Sequence, residues 1–237
     1  MNSTVIERED LPMVVINLLT KNRTELAVRT IHAAMRHLKY DGKLVWFITD
    51  NGSEAGHVQR VLHTIPHSMM LAGTVRNGTI GECWNEGLKD IFEKAEYCIR
   101  LEDDMVLKAD LDITRYVKVM MTNAKIGMVR LGQMVIDLEF ISEKFRIDTH
   151  IGFEEDVFLM VEKTMPYCFS GHPAIIHKRF HEVYGYYPET QMSAGELEIA
   201  MDFSVRNNHG PAVFVPWDLG RFGTWGAWDH VGINKAE

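Results

Sequence analysis

The chain has 237 residues, 46% of them hydrophobic, 24% charged and 10% aromatic, which is enough to build one sizeable core. With only 18 Gly and 7 Pro, and with apolar residues recurring along the whole length, collagen, coiled-coil and disordered readings are excluded. The balance of 25 basic against 33 acidic residues, or −8, argues against broad adhesion to nucleic acid or anionic membrane.

No apolar run approaches the roughly 18 residues that spanning a bilayer requires. Met1 to Asp10 carries acids rather than a basic and then apolar signal, so the expectation is a cytoplasmic protein without membrane insertion. Cys83, Cys98 and Cys168 are odd in number and lack metal-site spacing, which gives no support to a disulfide framework or structural zinc.

In chain order, Met13 to Leu19 is an apolar run broken only by Asn17, the pattern of a strand buried on both faces. Thr24 is placed to cap a helix whose Ala27, Ile31, Ala34, Met35 and Leu38 share one face. Leu44 to Ile48 is a second strand, ending in Thr49, Asp50, Asn51 and Gly52. Ser53 is then placed to cap a helix burying Val58, Val61, Leu62 and Ile65. Thr79 to Ala95 keeps helical spacing throughout. Tyr97 to Leu101 is a strand that runs into Glu102, Asp103 and Asp104, and Leu111 to Met121 reads as a helix. This alternation predicts a parallel sheet with right-handed crossovers, so the strand ends carrying Thr20, Asp50 and Asp104 lie on one ligand-binding edge.

The second half is less regular. It offers a strand at Gly127 to Leu131, an acidic stretch at Glu154 to Asp156 and a turn-rich segment from Cys168 to Glu189. A helix at Ala194 to Asn207 and a strand at Ala212 to Val215 follow, and the Gly- and Trp-rich tail from Pro216 to Gly232 is expected to hold no regular element.

Three adjacent carboxylates at a strand end repel one another, and a divalent cation relieves that repulsion. On an extended backbone Glu102 and Asp104 share a face and Asp103 points elsewhere. Hard oxygen ligands suit magnesium or manganese.

Leu101 to Met105 resembles the DxD-type signature of GT-A glycosyltransferases, and the order of the surrounding motifs is similar to their family 2 type. The resemblance extends over nearly the whole chain. It implies an α/β fold, the Rossmann-like GT-A three-layer α/β/α sandwich with a mostly parallel sheet. One domain spans 1–237, with a nucleotide-sugar half at about 11–124 and an acceptor half with the tail at about 125–237. Val14 to Arg23 is similar to the segment bordering the nucleotide, which implicates Thr20, Asn22 and Arg23. TDNGS, Thr49 to Ser53, resembles the turn that receives base and ribose, with Asp50 in place and Asn51 replacing the second acid. Asn77 and Asn85 to Gly87 are similar to the Asn-rich segment before the metal strand, although Thr79 stands where glycine is usual. Ser170 to Glu189 resembles the acceptor-side segment.

GELEIAMD, Gly195 to Asp202, opens a helix as the family's Glu-Asp catalytic motif does, but Leu197 replaces the aspartate. Glu196 or Glu198 then takes the role of base, with Glu196 nearer the helix start. His230 resembles the C-terminal histidine that folds back on the metal. The implied site has Glu102 and Asp103 beside the donor, Asp104 and His230 on Mn2+ or Mg2+, and inversion at the sugar. The implied acceptor is a saccharide, protein, metabolite or modified nucleic acid base. A sugar nucleotidyltransferase is the enzyme alternative, but Leu18 to Thr24 lacks its Gly-rich phosphate loop. A nucleotide-sugar-binding protein that has lost its base is the alternative outside catalysis.

Overall fold

The computed structural model describes residues 10–132, 146–147, 158–160, 168–216 and 227–232. Glu154 to Asp156 and the tail residues Trp217 and Trp225 lie outside them. The first half runs β1 (Val14–Thr20), α1 (Thr24–His37), β2 (Leu38–Lys39), β3 (Leu44–Asp50), α2 (Ala55–Thr64), β4 (Met70–Val75), α3 (Ile80–Phe92) and β5 (Tyr97–Glu102). Then come β6 (Met105–Leu107), β7 (Leu111–Asp112), α4 (Thr114–Thr122), β8 (Ile126–Arg130), β9 (Arg146–Ile147) and β10 (Phe158–Met160). The chain continues through β11 (Ala174–His177), α5 (Lys178–Tyr184), α6 (Ala194–Asn207), β12 (Ala212–Pro216) and β13 (Trp228–His230).

One nine-stranded sheet has the order β4-β3-β1-β5-β11-β8-β12-β10-β9. Strands β11 and β10 run against the others, so the sheet is mostly parallel. Alternation along each strand builds two cores. Val14, Ile16 and Leu18 of β1 join Ile31 of α1 and Val117 of α4 on one face. On the other, Val15 joins Trp84 and Leu88 of α3, Phe180 of α5 and Leu197 of α6. These are the three layers that the resemblance implies.

Asn17, the polar break in β1, is fully buried and accepts from the Thr49 hydroxyl across the sheet at 2.8 Å. Helix α3 lies close above this pair because it has Gly87 there, where a Cβ would stand 2.3 Å from Thr49 Oγ1. At the helix start, a Cβ on Gly81 would meet Pro188 O at 2.0 Å.

Four sequence expectations are corrected. The segment from Cys168 to Glu189 is not all turns: Ala174–His177 is a buried central strand and Lys178–Tyr184 a helix. Four residues are too few to show a period, and the antiparallel direction needs no crossover helix to announce it. The tail does form a short strand, Trp228–His230, paired with β6. Neither Thr24 nor Ser53 caps its helix. The Thr24 hydroxyl meets His57 Nδ1, and the Ser53 hydroxyl accepts from Asn22 N, so both join one loop to the next. Met35 and Leu62 remain partly exposed because they lie at the rims of their helices' apolar stripes. Strand β4 carries little sequence signal because it is an edge strand, half-buried and interrupted by Gly73.

Two buried histidines are held neutral. His177 Nδ1 accepts from Arg179 N at 3.1 Å, and desolvation, then Arg179, pushes the ring down to about 4. His181 stacks on Tyr186 with ring centroids 5.1 Å apart, and burial likewise takes it down to about 4. In the unfolded chain both protonate near 6.5. Their contribution to stability is therefore full above about pH 6.5 and lost as the pH falls toward about 4. The melting temperature should drop through this window by circular dichroism, and less steeply in a His177→Asn, His181→Gln double variant. Gly87→Ala should destabilise by about 1–3 kcal/mol in urea unfolding, because the added methyl displaces Thr49 from Asn17.

Candidate active site

The C-terminal ends of three parallel strands form one edge. Thr20 of β1 is opposite Asp50 of β3, and Leu19 is opposite Glu102 of β5. A cleft of about 250 Å³ opens here, lined by Thr20, Arg23, Asn51, Glu102, Asp103 and Ala194 among others.

Strand β5 ends at Glu102, and the chain turns at Asp103 and Asp104 before β6. The turn overrides the alternation expected of an extended backbone: Asp103 and Asp104 face one common cation, and Glu102 faces another. Arg23 Nη1 donates to Asp104 Oδ2 at 2.8 Å and its Nη2 to Asp103 Oδ1. Glu102 Oε1 accepts from Arg100 Nη2 at 2.7 Å. Arg100 is buried and stacked on Trp84, 4.5 Å from the ring centroid, and its Nη1 donates to Gly171 O at 2.5 Å. Desolvation pushes the Asp103 carboxyl up to about 6 against the pull of Arg23. It raises Glu102 too, opposed by Arg100.

His230 lies beside Asp104, with Nε2 3.5 Å from Asp104 Oδ2. Pairing of β13 with β6 puts it there, opposite Met105. Gly232 is required at the next step, since a Cβ would stand 2.1 Å from Asp104 Oδ2. Among the described residues the buried Asp104 Oδ1 has no hydrogen-bond partner. An oxygen and an imidazole so placed fit Mn2+ or Mg2+. Among the described residues no three His, Cys, Asp or Glu gather as a metal cluster.

Asp50 is buried. Its Oδ2 accepts from Ser53 N at 2.9 Å, and its Oδ1 has no hydrogen-bond partner among the described residues, lying 3.7 Å from His57 Nε2. Asn51 N donates to Thr20 O at 2.9 Å, and its side chain accepts from Gly78 N at 3.1 Å. Asn22 has φ of 52°, and its Oδ1 accepts from Glu54 N at 2.9 Å. Asn77 is exposed and packs over Gly52, whose φ is 68° and whose added Cβ would sit 2.9 Å from Asn77 Cβ. Asn85 is not on the cleft wall: it bonds Tyr187 N and O and the Glu189 carboxylate, fastening the 187–189 segment to α3.

The two candidate bases on α6 are separated. Glu196 is exposed and closes the capping box, its Oε2 accepting from Ser193 N at 2.7 Å and Ser193 Oγ at 2.8 Å. That hydrogen bonding, the backbone N–H first, keeps its carboxyl below the usual range. Glu198 is half-buried and accepts from Gly171 N at 2.9 Å, within electrostatic reach of Arg100 and Arg130. Leu197 is buried between them, in the second core.

His57, Arg100 and Arg130 are the site residues that sequence reading passes over. A signal existed for each. Arg100 and Arg130 are charges inside otherwise apolar strands, and His57 sits one turn before Val61 on the buried stripe of α2.

No family sequence model matches the chain, and no curated protein matches it significantly by sequence. Its fold has solved counterparts. GalNAc-T7, determined with UDP, GalNAc and Mn2+, superposes with a TM-score of 0.64 at 12% identity, covering 88% of this chain and 43% of that one. The mannosyltransferase PcManGT from Pyrobaculum calidifontis, in complex with GDP-Man and Mn2+, gives 0.56 at 17% identity, covering 88% and 58%. TarS residues 1–349 from S. aureus gives 0.57 at 13%, covering 86% and 60%. The chain thus spans about half the length of these proteins, and no described helix is long and apolar enough to cross a membrane. On this likeness the chain has the GT-A-type glycosyltransferase fold.

Proposed function

We propose that this protein is a metal-dependent glycosyltransferase that moves a sugar from a nucleotide-diphosphate sugar to an acceptor hydroxyl with inversion. The observation that carries the reading is the pairing of Asp104 with His230 at 3.5 Å, on the strand edge that also bears Asp50. The UDP, GDP-Man and Mn2+ bound to proteins of the same fold support it. Asp104 and His230 would hold Mn2+ or Mg2+, which when bound stabilises the negative charge of the departing diphosphate.

The rest falls to the chain's own groups. Asp50 Oδ1 is a buried acceptor awaiting a donor, which suits an N–H of the base or a ribose hydroxyl. Thr20, Asn22 and Asn51 fix the loops that frame it, and Glu102 and Asp103 border the sugar. The domain reading stands with this: residues 11–124 take the donor and residues 125–237 the acceptor. Glu198 is the better base, since Glu196 is committed to Ser193 and Glu198 reaches the Gly171 turn on the acceptor side. Its carboxylate takes the proton from the acceptor hydroxyl. Burial of Leu197 where the family has an acid favours one other reading, a nucleotide-sugar binder without turnover.

A thermal-shift screen of nucleoside diphosphates and their sugars, with and without manganese, identifies the donor, since a ligand at 100 times its Kd stabilises by about 2.7 kcal/mol. With that donor, Asp104→Asn should remove the manganese-dependent part of the shift and leave the metal-free part. Asp50→Ala should weaken nucleotide and nucleotide sugar alike. An Asp104→Asn shift that still depends on manganese would sink the metal assignment.

Hydrolysis of the same donor, with water in the acceptor's place, tests the base. Glu198→Gln should slow it by about 100-fold while donor binding persists. Glu196→Gln should leave rate and stability nearly unchanged, because Gln also serves a capping box. Absence of hydrolysis in the wild type, with donor binding intact, would favour the binder.

A further inference from the structure

Arg23 already occupies the oxygen at which the metal is proposed. Its side chain is 46% exposed, on the loop between β1 and α1, yet both terminal nitrogens reach inward to carboxylates that are 0% and 7% exposed. The second Asp103 oxygen is taken by the Thr20 hydroxyl at 2.8 Å, so Asp103 is fully engaged without any ion. Asp104 is not, since Oδ1 has no hydrogen-bond partner among the described residues and Oδ2 is shared between Arg23 and His230. A divalent ion bound by Asp104 and His230 would compete with the guanidinium for Oδ2 and repel it.

The loop leaves Arg23 free to turn away. Asn22 N is held by Ser53 Oγ at 2.8 Å and Asn22 Oδ1 by Glu54 N at 2.9 Å, so the backbone is pinned and only the side chain need rotate. The cleft it lines also holds Lys21, Thr20 and Asn51, and a diphosphate arriving there offers the planar, bidentate partner that guanidinium prefers.

Resting on the metal and donor reading above, we infer that Arg23 is an exchangeable counter-cation. It neutralises Asp103 and Asp104 in the metal-free chain and passes to the donor's diphosphate when a divalent ion takes Asp104. Metal and diphosphate then favour each other's binding through Arg23 as well as through direct contact.

The test is Mn2+ binding to the full chain, read as free Mn2+ by electron paramagnetic resonance, alone and with inorganic pyrophosphate. Without pyrophosphate, Arg23→Gln should bind Mn2+ about tenfold more tightly than wild type. In saturating Mn2+, the same variant should bind pyrophosphate about tenfold more weakly. Arg23→Lys keeps the charge but cannot bridge two carboxylates, and should lie between; it carries the test if Arg23→Gln does not fold. Unchanged or weaker Mn2+ binding in the Arg23 variants overturns the exchange. If that binding is still abolished by Asp104→Asn, the metal reading stands without the exchange. Mn2+ binding that ignores Asp104, or is absent from wild type and variants alike, overturns both.

Discussion

Everything at the strand edge answers one electrostatic problem. Glu102, Asp103 and Asp104 are consecutive; burial strips Asp103 and Asp104 of the water that would screen them, and Glu102 is half-buried beside them. Two unit charges about 4 Å apart near a protein surface repel by about 4 kcal/mol. The fold answers by turning Glu102 to one arginine and the Asp103 and Asp104 pair to another. Arg100 meets Glu102 from two residues back on the same strand face. Arg23 reaches over from the first loop, and Thr20 and His230 close the remaining sides.

The hydroxyl bonds extend this network to Asp50. Thr20 Oγ1 donates its one proton to Asp103, so its lone pair can only accept from His57 Nε2, 3.0 Å away. His57 therefore carries its proton on Nε2 and, being neutral, accepts at Nδ1 from the Thr24 hydroxyl. Desolvation lowers the affinity of this ring for a second proton, which matches the neutral tautomer that the bonds demand. The same Nε2 lies 3.7 Å from Asp50 Oδ1, so one imidazole stands between the Asp50 turn and the acidic turn.

The sequence revealed what repeats and obscured what happens once. Helices α1 and α3 and strands β1, β3 and β5 carry long periodic apolar patterns, and the structure has them within a few residues of their expected bounds. The strand edge followed from that order alone: Thr20 and Asp50 lie opposite each other at the ends of β1 and β3, and Asp104 lies just past the end of β5. What stayed hidden is three-dimensional. No spacing rule shows that residues Arg23 and Asp104 share a bond, or that Ser193 claims Glu196. Arg100 was legible in principle, since a charge in a doubly buried strand must have a partner, but periodicity averages a single charge away.

The least legible step is also the one that brings the second half of the chain to the site. In an all-parallel sheet only strand ends reach the ligand edge. Strand β11 runs the other way between β5 and β8, so its beginning lies at that edge: Ala174 is opposite Arg100 on one side and Arg130 on the other. The turn just before it, Ser170 to His172, is thereby carried to the carboxylate edge. Gly171 N then binds Glu198 while Gly171 O binds Arg100. A Cβ at Gly171 would lie 3.2 Å from Arg100 Nη1, so a small residue keeps this turn close. One reversed strand thus joins Glu198 to Glu102 through three hydrogen bonds, by way of the Gly171 backbone and the Arg100 side chain. A change in that turn should therefore be felt at Glu198 and at Glu102 at once.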